Sequence, residues 1–182
     1  MQQPFDIAVI GGGPAGAAAA IRLARAGART VLVERTSGAH PKVCGEFVSG
    51  VALAELASLG IDPARAGAQP IGEVTLARGT RRIDVRLPFA AAAWSREMLD
   101  EALLARAMEA GAELRRGHAV RGIACEGGRY TLALGSGHAI AARALFIATG
   151  KHDLKGRRRP AGPQPDLVAF KQRLRLSAAA AA

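Results

Sequence analysis

Aromatic side chains are scarce in this sequence: Phe, Trp and Tyr together make up 4% of its 182 residues. A core built without them must come from Ala, Val, Ile and Leu. The scarcity also removes most of the stacking platforms that single-strand nucleic-acid binders use. Cysteine occurs only at Cys44 and Cys125. That distance rules out a CxxC pair, a zinc spacing and a disulfide framework, and the usage suits a reducing cytosol. Acidic residues are outnumbered 15 to 25 by Lys and Arg, for a formal charge of +10. The arginines are spread along the chain, with one dense run at Arg157–Arg159. No nucleic-acid module accompanies them, so the charge reads as a solvated basic surface. No apolar run is long enough to cross a membrane as a helix. The small, apolar N-terminal stretch is preceded by Asp6 rather than a basic flank, and Gly and Pro break it, unlike a signal peptide. The expectation is a cytoplasmic protein with no nucleic-acid partner and no stable membrane insertion.

What is present is a buried-strand pattern, DIAVI (6–10), then GGGPAG, then AAAAIRLARAG with Gly27 placed to end a helix. RTVLVER reads as a second buried strand, making a β-turn-α-β unit with a parallel pair. Residues 36–50 are loop-like, and 51–60 reads as a short helix closed by Gly60. IGEVTLA and RRIDVRL alternate around Gly79-Thr80 as a hairpin that Pro88 ends. The clearest amphipathic helix is 95–111, with Ser95 as N-cap, Met98 opening the apolar face and Gly111 at the end. Trp94, just before it, reads as a packing anchor. AELRRG, AVRGIACE, RYTLAL and HAIAA are short strands between glycine turns, and ARALFIATG (142–150) is another buried strand. After a Pro/Gly-rich linker, DLVAFKQRLRL alternates like a strand. The pattern predicts an α/β fold with a parallel central sheet plus antiparallel strands.

Gly11, Gly13 and Gly16 form G-x-G-x-x-G. Alone the pattern is weak; between a buried strand and a helix it is a dinucleotide-binding signature. Gly11 permits the tight turn, Gly13 lets backbone approach a pyrophosphate, and Gly16 allows close helix–strand packing. The helix N-terminus offers unpaired N–H groups and a favourable dipole to an anion. Pro14 suits the first turn, where its missing donor costs nothing. Glu34, ending the second strand, is placed to accept from the 2′- and 3′-hydroxyls of an adenosine ribose. An acid there repels a 2′-phosphate, so FAD and NAD remain and NADP is disfavoured.

The stretch from Asp6 to Arg35 resembles the N-terminal FAD-binding segment of flavoproteins related to glutathione reductase and para-hydroxybenzoate hydroxylase. PKVCGEFVSGVALAELASLGI is similar to the geranylgeranyl reductase-like branch, and WSREMLDEALLARAMEAGAELRRGHAVRGI also fits. The resemblance implies a Rossmann-like three-layer FAD/NAD(P)-binding fold and FAD as cofactor, with NAD(P)H as electron donor. It implies cofactor contacts from Ala15, Arg35 and Arg96, from backbone at Val120, and from Thr149 and Gly150 in the turn beneath the cofactor. The loop holding Cys44 and Gly45 would pass near the isoalloxazine ring, with Glu46 and Lys42 facing flavin or substrate. Cys44 lining the site and Cys44 as a small packed residue both remain open.

The sequence departs from that family in several places. ATGKHD stands where hydroxylases carry Asp-Gly, and neither the halogenase tryptophan motif nor the disulfide-reductase cysteine pair occurs. The later Gly-Asp segment does not occur before residue 182, so the chain resembles the front part of such an enzyme. The whole chain, 1–182, is then an incomplete FAD-binding domain, with 62–92 and 160–176 beginning a substrate-facing sheet. The expected function is FAD-dependent oxidation or reduction of a small apolar or aromatic molecule, with the missing C-terminal part as partner. A truncated, non-catalytic nucleotide-binding module is the alternative.

Overall fold

The computed structural model describes residues 3–157, 160 and 168–172. Strand β1 (Phe5–Ile10) leads through the glycine turn into α1 (Pro14–Arg25) and back to β2 (Thr30–Glu34). A short β3 (Phe47–Val48) and α2 (Gly50–Ser58) precede a long hairpin, β4 (Gln69–Arg78) and β5 (Arg81–Ala93). Then come α3 (Arg96–Glu109), β6 (Glu113–Arg116), β7 (Val120–Glu126), β8 (Arg129–Leu134) and β9 (Ala139–Ile147).

Two sheets result. In the larger the strand order is β6-β2-β1-β9-β8-β7, and in the smaller β3-β5-β4. β6, β2, β1 and β9 are mutually parallel, while β9, β8 and β7 form an antiparallel meander. The expected α/β class with a parallel centre and antiparallel additions is what folds.

Periodicity explains the layering. Along β1 and β2 successive side chains alternate between two apolar environments. Val9 and Leu32 face α1 and α3, where Ala17, Ala20, Ile21, Leu103 and Ala107 are buried. Ala8, Ile10, Val31 and Val33 face the other way, against Leu132, Leu134, Ile140 and Ala142 of the meander. Each fully buried Ile or Leu contributes roughly 1.5–3 kcal/mol relative to exposure. Small residues on α1 let it lie close to sheet and neighbouring helix. The single tryptophan, Trp94, is 2% exposed within the helical layer, the anchor expected. Three helices are also tied at one point: Arg25 of α1 donates to Ser58 O (3.0 Å) and Leu59 O (2.6 Å), and Arg106 of α3 donates to Leu59 O (3.1 Å). These cations satisfy carbonyls at the C-terminus of α2, where the dipole favours them.

Four expectations need correction. HAIAA and ARALFIATG are one strand, β9: its Ala142 faces Tyr130 of β8 and Phe5 of β1, so the strand changes partner without a break. Pro88 does not end the hairpin, because β5 runs on to Ala93. The ladder is irregular there, passing from Glu73↔Arg86 to Ile71↔Ala91, so the missing N–H of Pro88 falls in the unpaired stretch. Met98 is 47% exposed and does not open the buried face of α3, which starts at Leu99. The loop at 36–50 contains the two-residue strand β3, paired with Ala92 and Ala93. The strand read in 166–176 lies mostly outside the described residues, and 168–172 are not in a strand.

Candidate functional site

The site assembles where the parallel strands end, as ligand sites in open α/β sheets do. The turn after β1 is fixed by its own backbone. Gly11 has φ 107° and donates its N–H to Val33 O at 2.8 Å. A Cβ on Gly11 would strike Ala148 O, and one on Gly16 would strike Gly11 O. Gly16 thus sits against the turn itself, the close packing its spacing implies. Gly13 differs: its φ of −74° is ordinary, and a Cβ would meet only Arg96 Nη2, at 3.8 Å. Among the described residues no other atom comes within 4 Å of that Cβ position.

α1 begins with Gly13 as N-cap, Pro14 in the first turn and no side-chain cap. Its first backbone-to-backbone closure is Ala17 N–H to Gly13 O, 2.9 Å. The N–H groups of exposed Ala15 and buried Gly16 therefore have no intrahelical acceptor, which leaves donors for an anion.

Glu34 is 7% exposed, and its carboxylate is already engaged. Oε2 accepts from Gly12 N–H (2.7 Å); Oε1 accepts from Thr36 N–H (2.9 Å) and Thr36 Oγ1 (2.8 Å). Burial pushes its pKa up. The hydrogen bonds from Thr36 and Gly12, with the charge of Lys42, outweigh that and hold it below the ordinary 4.5. Oε2 takes one bond, so it keeps acceptor capacity toward a hydroxyl. Gly12 and Glu34 line a small recess together with His40, Asp100, Glu101 and Arg116. Arg116 grips Glu101 with two bonds, 2.7 and 2.8 Å.

The lowered pKa has a pH consequence. A carboxyl whose folded pKa lies below its unfolded value stabilises the fold fully above the unfolded value and loses that as pH falls through the folded one. Glu34→Gln should be less stable than wild type at pH 7 by about 1–3 kcal/mol, and the gap should narrow below pH ~4.5. Urea midpoints measured from pH 3 to 7 check this; parallel curves would refute it.

The loop bearing Cys44 meets the start of α3. Ser95 caps that helix as expected, accepting from Met98 N–H at 3.2 Å. Glu46 reinforces the cap: its Oε1 accepts from Arg96 N–H (3.1 Å) and pairs with Lys171 Nζ (2.5 Å), and its carbonyl accepts from Trp94 N–H (2.9 Å). Glu46 holds φ 57°, unusual for a residue with a side chain. Its Oε1 is thus engaged by the start of helix α3 and by Lys171. Lys42, partly exposed, is also engaged; its Nζ lies 2.7 Å from Asp100 Oδ2. Arg96 binds the same carboxylate, Nε to Oδ1 at 2.9 Å and Nη2 to Oδ2 at 3.0 Å. The Asp100 hydrogen bond, with a smaller contribution from Cys44, raises the Arg96 pKa above its usual range. A cation at the first position of a helix opposes the dipole. Asp100 compensates it from within the protein, so the placement of Arg96 does not by itself require a ligand.

Cys44 is half-buried, with Glu46 N–H 3.5 Å from its sulfur. Around Gly45 no described atom comes within 4 Å of a Cβ position, so no protein neighbour demands glycine there. Arg35 is exposed, Thr149 half-buried and Gly150 exposed with φ 65°. Ala148, next to Thr149, donates its N–H to Ile10 O at 2.8 Å, which brings that turn beside the glycine turn. Val120 starts β7 two residues after His118, whose N–H donates to Glu34 O at 3.1 Å. Sequence reasoning missed Gly12, Thr36, Asp100 and Arg116. Of these only Asp100 left a local signal, its i,i+4 spacing from Arg96.

Residues 4–137 match the family model described as an FAD binding domain. The chain belongs to that family. This FAD-binding domain is 32% identical over 171 residues to digeranylgeranylglycerophospholipid reductase 1 of Methanopyrus kandleri, covering 90% of the chain and 45% of that protein. It is 33% identical over 124 residues to 12-dehydrotetracycline 5-monooxygenase/anhydrotetracycline 6-monooxygenase of Streptomyces rimosus, covering 64% of the chain and 24% of that protein. Among solved structures, p-nitrophenol 4-monooxygenase PnpA from Pseudomonas putida DLL-E4 superposes with a TM-score of 0.74 at 20% identity, over 86% of this chain and 44% of that one. The chain thus spans less than half the length of these relatives. The FAD-binding domain fits its cofactor on its own geometry: uncapped donors on α1, an open face at Gly13, and remaining acceptor capacity on Glu34.

Proposed function

We propose that this FAD-binding domain is the nucleotide-holding part of a flavin-dependent oxidoreductase, a reductase or monooxygenase acting on a small apolar or aromatic molecule, with NAD(P)H as electron donor. The observation that carries it is the open face of Gly13, flanked by the uncapped N-terminus of α1 and by Arg96. In this reading Gly11 to Gly16, with Pro14 and Ala15, hold the pyrophosphate, and Glu34 the adenosine ribose. Arg96, Arg35 and the backbone at Val120, Thr149 and Gly150 complete the cradle. Cys44 and Gly45 line the flavin side without covalent chemistry; among the described residues no atom lies within 4 Å of a Cβ position at Gly45, which leaves room for a ligand there. FAD, when bound, supplies the two-electron chemistry; the protein binds and orients it and excludes water.

The hairpin of β4 and β5, which falls in 62–92 except for Ala93, would begin a substrate-facing sheet. Val74↔Val85 and Leu76↔Ile83 share one of its faces, and Leu76 and Ile83 are over 60% exposed. The second reading is a truncated, non-catalytic adenine-dinucleotide-binding module.

Calorimetry of the purified chain with FAD tests the first claim, with stoichiometric binding expected. Anaerobic addition of NADH or NADPH separates the readings: bleaching of bound flavin supports an oxidoreductase, and flavin that stays oxidised leaves the module. Arg96→Ala should weaken FAD by about 1.5–3 kcal/mol, the range for hydrogen bonds to charged groups. Unchanged affinity would remove Arg96 from the site.

A further inference from the structure

Asp100 is a carboxylate on the buried face of α3, 7% exposed among Leu99, Leu103, Leu104 and Ala107. Burying a charge there is costly unless every acceptor site is used. Both oxygens are used. Arg96 Nε and Nη2 grip Oδ1 and Oδ2 as a fork, and Lys42 Nζ joins Oδ2 at 2.7 Å. A two-point grip fixes the plane and rotation of a guanidinium, which a single bond does not. The nitrogen so fixed, Nη2, is the atom lying 3.8 Å from the Cβ position at Gly13. Lys42 and Cys44 share one loop, and Arg96 starts the helix that Glu46 caps.

We infer that Asp100 is a positioning residue of the nucleotide site. It aims Arg96 at the space beside Gly13 and clamps the Lys42–Glu46 loop to α3 through one carboxyl group. Although it borders the recess beside Glu34, it acts through Arg96, because both its oxygens are already taken by Arg96 and Lys42. The inference rests on the nucleotide-holding reading above and adds the element that preorganises it. Without Asp100 the arginine must be immobilised at the moment of binding, a cost paid in affinity.

The test is calorimetry with FAD, ADP and adenosine on wild type, Asp100→Asn, Arg96→Ala and the double variant. Asp100→Asn should bind ADP about tenfold more weakly, the scale of one immobilised side chain. It should bind adenosine, which lacks the pyrophosphate, as wild type does. In the Arg96→Ala background, Asp100→Asn should change ADP affinity no further, because the two act as a unit. Asp100→Glu keeps the charge while displacing the fork; it should weaken ADP by a smaller factor with an unchanged circular dichroism spectrum, and it serves if Asp100→Asn does not fold. Equal losses for ADP and adenosine, additive losses in the double variant, or ADP binding in Asp100→Asn as tight as or tighter than wild type would overturn the inference alone. Wild type that binds neither FAD nor ADP would overturn the nucleotide reading and the inference with it.

Discussion

Gly13→Val is expected to fold as the wild type does and to bind no FAD. At this position the backbone is extended, with φ −74° and ψ −179°, a conformation valine adopts without strain. Its Cβ has one described neighbour within 4 Å, Arg96 Nη2 at 3.8 Å. Loss of glycine as N-cap costs about 1 kcal/mol at most. The isopropyl group instead occupies the space in front of the free N–H groups of α1, where a pyrophosphate must come to within hydrogen-bond distance. Thermal unfolding should differ little from wild type, while calorimetry with FAD shows no heat of binding. Equal affinity in the two proteins would mean the glycine turn is not the phosphate site.

Gly16→Ala should do the opposite, damaging the fold before it touches a ligand. Its methyl would overlap the carbonyl oxygen of Gly11 and crowd Ala148 Cβ at 3.2 Å. Neither Gly11 nor Ala148 can step aside cheaply: Gly11 N–H is bonded to Val33 and Ala148 N–H to Ile10. Overpacking of this kind costs about 1–3 kcal/mol, against which alanine regains roughly 0.5–1 kcal/mol of helix propensity. The net loss should appear as a fall in Tm of about 2–4 °C for each kcal/mol. A Tm at or above that of wild type would show that α1 can move away from the turn. Together the two variants separate a glycine kept for a ligand from one kept for the chain's own backbone.

That distinction was only half legible in the sequence. The spacing of Gly11, Gly13 and Gly16 between a buried strand and a helix placed the turn, and Glu34 followed at the right distance. The spacing did not reveal that Gly12 and Thr36 already hold the Glu34 carboxylate, because Thr36 and Gly12 carry no pattern that names an acceptor. Ser95 was readable as a cap because capping is local. Asp100 was not readable as buried: a charged residue on an amphipathic helix is taken as solvated, and one of its cations, Lys42, comes from 58 residues earlier. Pro88 was read as a terminator because a proline breaks a regular ladder, and the irregular pairing that accommodates it depends on the partner strand. Met98 was misplaced by a single helical position. β9 was split in two because its change of partner at Ala142 leaves no trace in the order of its residues.

That change of partner governs when the fold can close. Through Ala142–Ile147, β9 is the parallel neighbour of β1, and Ala148 backs the glycine turn. Strand β1 therefore waits for more than 130 further residues before its second edge is paired. β1 with β2 closes early and locally; β1 with β9 must pay for a loop spanning most of the described chain before any contact rewards it. A nascent chain that has not yet delivered β9 carries the glycine signature without the strand that supports it, and nucleotide would have little to hold until that strand arrives.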